Sequence, residues 1–103
     1  MYRVKRYWTY MLRCRDGSYY VGVTSNLEQR IAQHRHGAMP TCYTFPRRPL
    51  ALVWSQSCKD VDDAIRCEKK LQGWTRAKKQ ALLAGDWDTI RELSRAHAST
   101  SSA

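Results

Sequence analysis

Tyr10 and Tyr20 stand on either side of a turn signal, Arg30 and His34 lie four residues apart, and Glu68 falls among apolar residues at helical spacing. Together these are the side chains that phosphodiester hydrolysis needs. A water must lose a proton, the phosphate charge must be neutralised and the leaving oxygen must be stabilised. Arg30 offers a planar fork that matches phosphate oxygens. Glu68 can hold a divalent cation, and Mg²⁺ keeps most of its waters, so it needs only one or two protein carboxylates. That small demand matters because the chain has no dense acidic cluster for two metals. The proton acceptor is Tyr10, His34 or Tyr20. A free phenol, with a pKa of about 10, is a poor base at neutral pH unless an arginine, a metal or a hydrogen bond lowers it, whereas His34 titrates nearer neutrality. Each residue taken singly has an ordinary structural use, so the weight rests on the set.

The elements that would position these residues can be read from the pattern. Residues 7–14 and 18–23 are rich in aromatic and β-branched side chains and predict two strands. Arg15-Asp16-Gly17 between them is a hairpin signal. A two-residue loop would pair Leu12 with Val21 and send Tyr10 and Tyr20 to opposite faces. A three-residue loop with Gly17 left-handed would pair Leu12 with Tyr20 and Tyr10 with Gly22, putting both tyrosines on one face. The second register is the one expected. Ser25 and Glu28 have capping-box spacing for a helix that Gly37 stops, with Leu27 and Ile31 on its apolar side. Arg30 and His34 then share a face.

Residues 38–49 predict a loop that mixes prolines with aromatic and basic side chains, and Leu50 to Ser55 a third strand. A helix over Lys59 to Gln72 would turn Val61, Ala64, Ile65, Glu68 and Leu71 inward, with Asp60, Asp62 and Asp63 at its start, where the helix dipole favours them. A carboxylate on that stripe is costly without a partner. Gly73-Trp74-Thr75 ends the helix, and a third runs from Arg76 to Ala84 with Lys78 and Lys79 exposed. A fourth, about Trp87 to Ser94, would pack Trp87, Ile90 and Leu93 inward. The fold class expected is α+β, a three-stranded antiparallel sheet flanked by three to four helices in the order β-β-α-β-α-α-α. Residues 5–84 form the main domain, 85–95 a helix packing on it, and 96–103 a disordered tail.

Eighteen basic against nine acidic residues give a net charge of +9, and the basic residues run from Arg3 to Arg95, so much of the surface must be positive. Such a field attracts polyanions, nucleic acid first among them. No apolar run approaches the roughly 20 residues that span a bilayer, which argues against a membrane partner. The stretch Met1-Tyr2-Arg3-Val4-Lys5-Arg6 lacks the apolar core of a signal peptide, which predicts a cytoplasmic protein. The four cysteines have no zinc-site spacing and read as free thiols.

Tyr10, then Tyr20-Val21-Gly22, Thr24, Leu27, Arg30 and His34 in this order resemble the GIY-YIG nuclease motif, and Ala64-Ile65-Arg66-Cys67-Glu68 is similar to the segment that bears that family's metal-binding glutamate. The resemblance covers roughly residues 6 to 84. The Tyr43-Thr44 and Arg47-Arg48-Pro49 loop and the Gly73-Trp74 step resemble the small stand-alone bacterial branch, related to the nuclease domains of excision-repair and structure-specific endonucleases. The resemblance implies one-metal hydrolysis of DNA, with Tyr10 as general base and Tyr20 orienting water or phosphate. It also implies Arg30 on the phosphate, His34 supporting by hydrogen bond, and Glu68 binding a single Mg²⁺ or Mn²⁺. Gly22, Thr24, Tyr43, Thr44, Arg47, Arg48, Lys78 and Lys79 are the expected nucleic-acid contacts, with Gly22 permitting close backbone approach. A protein partner supplying substrate specificity, and association with the bacterial nucleoid, follow from the same reading. The first motif here reads Trp8-Thr9-Tyr10, without the family's glycine and isoleucine, and Val21 replaces an isoleucine. The further asparagine that some members place after the glutamate is absent, since the chain's asparagine is Asn26. The alternative is a catalytically silent nucleic-acid-binding module on the same scaffold.

Overall fold

The computed structural model describes residues 6–101. Residues 1–5, which include the start of the expected main domain and most of the stretch read for a signal peptide, and residues 102–103 lie outside the described part. The chain forms two compact units, one ending at Gln72 and the other beginning at Gly73.

The first unit contains β1 (Tyr7–Arg13), β2 (Tyr19–Thr24), α1 (Leu27–His36), a 3-10 turn (Phe45–Arg47), β3 (Ala51–Cys58) and α2 (Val61–Gln72). Its antiparallel sheet has the order β2-β1-β3, so β1 is central. The second unit contains α3 (Arg76–Ala84) and α4 (Trp87–Ser101). The α+β class and the element order agree with the sequence reading.

The hairpin takes the three-residue loop. Gly17 has φ 83°, a left-handed conformation that a Cβ would disfavour. Its N–H donates to the Cys14 carbonyl at 2.9 Å, and the Cys14 N–H donates to the Ser18 carbonyl at 2.8 Å. The Asp16 carboxylate fixes the loop by accepting from the Ser18 N–H at 3.0 Å and its hydroxyl at 2.6 Å. Leu12 therefore faces Tyr20, and Tyr10 faces Gly22.

Strand alternation then sorts the side chains. Tyr10 and Leu12 of β1 and Tyr20 of β2 pack with Leu27 and Ile31 of α1, together with Cys14 and Leu50. Thr9, Met11 and Val21 alternate to the other face and are also buried. That face takes α2: the Thr9 hydroxyl donates to the Ala64 carbonyl at 2.8 Å, and Ala64 and Leu71 are buried.

Several boundaries differ from expectation for local reasons. The cap of α1 is Asn26, not Ser25: its side chain accepts from the Gln29 N–H at 3.1 Å, while the Thr24 hydroxyl accepts from the Asn26 N–H at 3.1 Å. This short turn leaves Ser25 exposed and shifts the start by one residue. β3 continues to Cys58 because Gln56 and Ser57, though polar, still pair with Thr9 and Trp8 of the central strand. α2 accordingly begins at Val61, with the Asp60 carboxylate accepting from the Asp62 N–H at 3.0 Å. Val61 is not on the inward stripe; at the helix start it is exposed.

In the second unit Thr75 caps α3 and Gly85, at φ 71°, closes it. Asp86 accepts from the Thr89 N–H at 3.1 Å and begins α4. Trp87, in that exposed first turn, is 57% accessible and not inward, whereas Ile90 is buried. α4 runs past Ser94 to Ser101, since the Ala, Ser and Thr residues there include no helix breaker. Lys78 and Lys79 are half-buried, not freely exposed.

Candidate active site

Tyr10 sits mid-way along the central strand, opposite Gly22, and is only 2% exposed. A Cβ at position 22 would lie 2.5 Å from the Tyr10 hydroxyl oxygen and 2.6 Å from Cζ. The absent side chain of Gly22 is therefore the space that the phenol end occupies. Across the sheet face, α1 brings His34 so that its Nε2 is 2.8 Å from the Tyr10 hydroxyl. His34 Nδ1 in turn is 2.9 Å from the Thr44 hydroxyl.

Tyr20 is half-buried beside this pair. Its ring lies 6.3 Å from the Tyr10 ring and meets the His34 ring edge-on at 5.3 Å. On its outer side it stacks with Tyr43 at 6.4 Å. Tyr43 is exposed, and the Arg47 guanidinium covers its ring at 3.7 Å. An aromatic ladder thus leads from the buried Tyr10 to a basic surface, with Arg47 also paired to Asp16 at 3.2 Å. Arg48 is folded over Phe45 at 4.4 Å and donates to the Phe45 carbonyl at 2.9 Å.

Burial dominates the electrostatics. It holds the Tyr10 hydroxyl well above the ordinary phenol range; Tyr20, Cys42 and Glu68 push the same way, and Arg30 opposes them. Tyr20 is raised by burial too, with Cys42 and Glu68 adding to it and Arg30 opposing. His34 is pushed down by burial, then by Arg30, so it is neutral at neutral pH. Arg30 therefore does not bring either tyrosine down to a useful pKa. Its measurable contact is a 3.2 Å approach of Nη1 to the Met39 sulfur, and among the described residues no carboxylate pairs with it.

Glu68 is half-buried on α2, and its charge is felt by both Tyr10 and Tyr20. Among the described residues no hydrogen bond or ion pair holds its carboxylate. No three His, Cys, Asp or Glu side chains cluster at metal-ligand spacing among those residues either. One uncommitted carboxylate beside the tyrosines fits an ion that keeps most of its water, as Mg²⁺ does, and does not fit a fully protein-caged metal.

The GIY-YIG catalytic domain matches residues 6–81. The chain belongs to the GIY-YIG family. Relatives of this GIY-YIG chain include a UPF0213 protein of Xanthomonas axonopodis pv. citri, 36% identical over 93% of each chain. A second, from Desulfotalea psychrophila, is 32% identical over 75% of this chain and 70% of its own. Among solved structures, a UPF0213 protein from Bacillus halodurans aligns with a TM-score of 0.52 at 33% identity, covering 77% of this chain and 83% of the other. A protein from E. faecalis aligns with a TM-score of 0.56 at 30% identity, covering 82% and 90%. The family places the chain in the nuclease superfamily.

Of the residues expected to touch nucleic acid, Gly22, Thr24 and Thr44 are buried. Gly22 is buried under the Tyr10 hydroxyl, so its role is to admit that side chain. Thr24 is 8% exposed, with its hydroxyl occupied by the Asn26 backbone. Thr44 is 1% exposed, beneath His34. Tyr43, Arg47 and Arg48 do reach the surface, whereas Lys78 and Lys79 lie on α3 of the second unit, Lys78 with its ammonium 4.4 Å over Trp74. Sequence reasoning missed Cys42 and Met39, which approach Tyr20 and Arg30 from an irregular loop where no periodicity marks them. A cavity of about 600 Å³, lined by Trp8, Leu27, Ile31, Ala32, Arg35 and Leu52 among others, opens on the other flank of α1 and includes none of Tyr10, Tyr20, Arg30, His34 or Glu68.

Proposed function

We propose that this chain is a metal-dependent endonuclease that hydrolyses phosphodiester bonds in DNA, acting on branched or damaged DNA in repair or recombination. The observation that carries the reading is the 2.8 Å contact between the Tyr10 hydroxyl and a neutral His34, beside Arg30 and an uncommitted Glu68. A buried phenol with a raised pKa is a poor base alone. Bonded to a neutral imidazole it becomes half of a proton-accepting couple: Tyr10 takes the proton of the attacking water while its own proton passes to His34 Nε2. Tyr20 orients that water or a phosphate oxygen, and the Arg30 guanidinium offsets phosphate charge. Glu68 would hold Mg²⁺ or Mn²⁺, and such an ion, when bound, polarises the phosphate and acidifies its water.

The net charge of +9, with Tyr43, Arg47 and Arg48 at the outer end of the aromatic ladder, supports a DNA substrate reached by charge and stacking. Lys78 and Lys79 belong to the same proposal, as do a partner protein that refines specificity and action in the cytoplasm on nucleoid DNA. The test is incubation of purified protein with labelled branched and linear DNA in Mg²⁺ or Mn²⁺. Cleavage is expected to fall at least about 100-fold in Tyr10→Phe, Arg30→Ala and Glu68→Ala. Cleavage that survives all three unchanged would refute this site.

A second reading, a silent binding module, is favoured by one feature: Trp8-Thr9 stand where the family's glycine and isoleucine belong. It predicts salt-sensitive DNA binding with no cleavage in any metal.

A further inference from the structure

His34 is neutral and therefore carries one ring hydrogen. Both ring nitrogens are engaged, Nε2 with the Tyr10 hydroxyl at 2.8 Å and Nδ1 with the Thr44 hydroxyl at 2.9 Å. Which nitrogen holds the hydrogen decides whether the pair can accept a proton from Tyr10 at all. Thr44 points to the direction. Its hydroxyl has one hydrogen, and the Cys42 sulfur at 3.4 Å is placed to accept it. With the hydrogen there, the Thr44 oxygen has only lone pairs to offer His34, and the imidazole hydrogen falls on Nδ1. Nε2 is left bare and can only accept, from the Tyr10 O–H. Thr44, His34 and Tyr10 are 1%, 2% and 2% exposed, so water does not compete for these bonds. The chain closes at its far end as well: Tyr20 is also hydrogen-bonded to Cys42.

We infer that Cys42 and Thr44 are positioning residues: they fix His34 in the Nδ1–H tautomer and thereby aim the Tyr10 proton at Nε2. The inference rests on the reading of Tyr10 and His34 as the proton-accepting couple. It gives a chemical use to a threonine whose burial removes it from the DNA-facing surface, and to a half-buried cysteine that touches both Thr44 and Tyr20. Without the sulfur as acceptor, the Thr44 hydroxyl is free to rotate and donate to Nδ1. The imidazole would then carry its hydrogen on Nε2, pointing at the Tyr10 oxygen, and could no longer take that proton.

The experiment is ¹⁵N NMR of the His34 ring at neutral pH in the full chain, paired with single-turnover cleavage of labelled DNA. The wild type is expected to show the Nδ1–H tautomer, and Thr44→Ser to keep it. Thr44→Val and Cys42→Ala are expected to move the ring toward Nε2–H and slow cleavage by about 10- to 100-fold, as loss of a supporting hydrogen bond does elsewhere, with DNA affinity unchanged. An Nε2–H tautomer in the wild type overturns the inference, as does a Thr44→Val or Cys42→Ala protein that keeps both the tautomer and the rate. If Thr44→Val does not fold, Cys42→Ala and Thr44→Ser carry the test. Because the NMR signal needs no cleavage, a protein that cuts no DNA yet shows the Nδ1–H tautomer, lost in Cys42→Ala, refutes the nuclease reading and upholds the positioning role.

Discussion

Gly22→Ala is the sharpest probe of the site, because it perturbs Tyr10 without touching a polar group. The added Cβ would stand 2.5 Å from the Tyr10 oxygen and 2.6 Å from Cζ. Optimal carbon contacts lie near 3.5–4.0 Å, so the phenol end must retreat by about 1 Å. It has little freedom to do so. The residue is 2% exposed, its hydroxyl is tied to His34, and Tyr20 and His34 flank its ring. Overpacking of this kind costs about 1–3 kcal/mol. In a domain this small that lowers the melting temperature by about 4–8 °C per kcal/mol. The catalytic effect should be larger than the loss of stability suggests, since about 1 Å of misplacement at a reacting group costs about 100-fold in rate.

The assay is cleavage rate and urea-unfolding stability for Gly22→Ala, Tyr10→Phe and the double variant. Tyr10→Phe deletes the oxygen that the new Cβ meets first, although the contact at Cζ remains. The strain should therefore be partly relieved, and the double variant should be more stable than the sum of the single losses predicts by about 0.5 kcal/mol or more. A Gly22→Ala protein with wild-type rate and stability, or strictly additive stabilities, would refute the packing of Tyr10 against Gly22 and with it the geometry of the site.

Other expectations can be checked on the same protein. Glu68→Ala, or chelation of divalent metal, should abolish cleavage while leaving DNA affinity in a gel-shift assay within about 2-fold, since one carboxylate contributes little to phosphate binding. His34 has a pKa below the ordinary imidazole value when folded, so its share of stability is complete above the unfolded value of about 6.5 and is lost as pH falls through the folded pKa. Urea titrations from about pH 8 to about pH 5 should show a decline that Thr44→Ser retains and His34→Gln lacks. Tyr10 has the opposite sign: its raised pKa favours the folded state up to about pH 10 and that share is lost at higher pH, an alkaline loss that Tyr10→Phe should not show. Arg47→Ala should weaken DNA binding on every sequence tested and reduce the slope of log affinity against log salt by about 1, and an unchanged slope would remove Arg47 from the DNA surface.

What could be read from the chain, and what could not, divides along a physical line. The shared face of Tyr10 and Tyr20 followed from one local feature, Gly17, because a loop of three residues fixes the register and the register fixes every side chain on a period-two strand. Arg30 and His34 on one side of α1 followed equally from a helix's period. Glu68 was marked by its cost, a carboxylate on an apolar stripe. Periodicity failed where the chain has none. Thr44 and Arg47 stand three residues apart in the same proline-containing loop, and nothing local distinguishes a hydroxyl that points at DNA from one that points at His34. Their fates diverge because the loop wraps back over α1, burying Thr44 at 1% exposure and leaving Tyr43 at 45%, and that path is set by contacts distant in sequence. The same blindness affected the phenol's acidity. An arginine was one of three influences that could lower it, and Arg30 does pull that way, but a central strand buries Tyr10, and desolvation outweighs a single arginine. The consequence runs against the simplest mechanism: a tyrosine so placed does not rest as a phenolate at neutral pH, which is why the proposed reaction gives its proton to the imidazole 2.8 Å away.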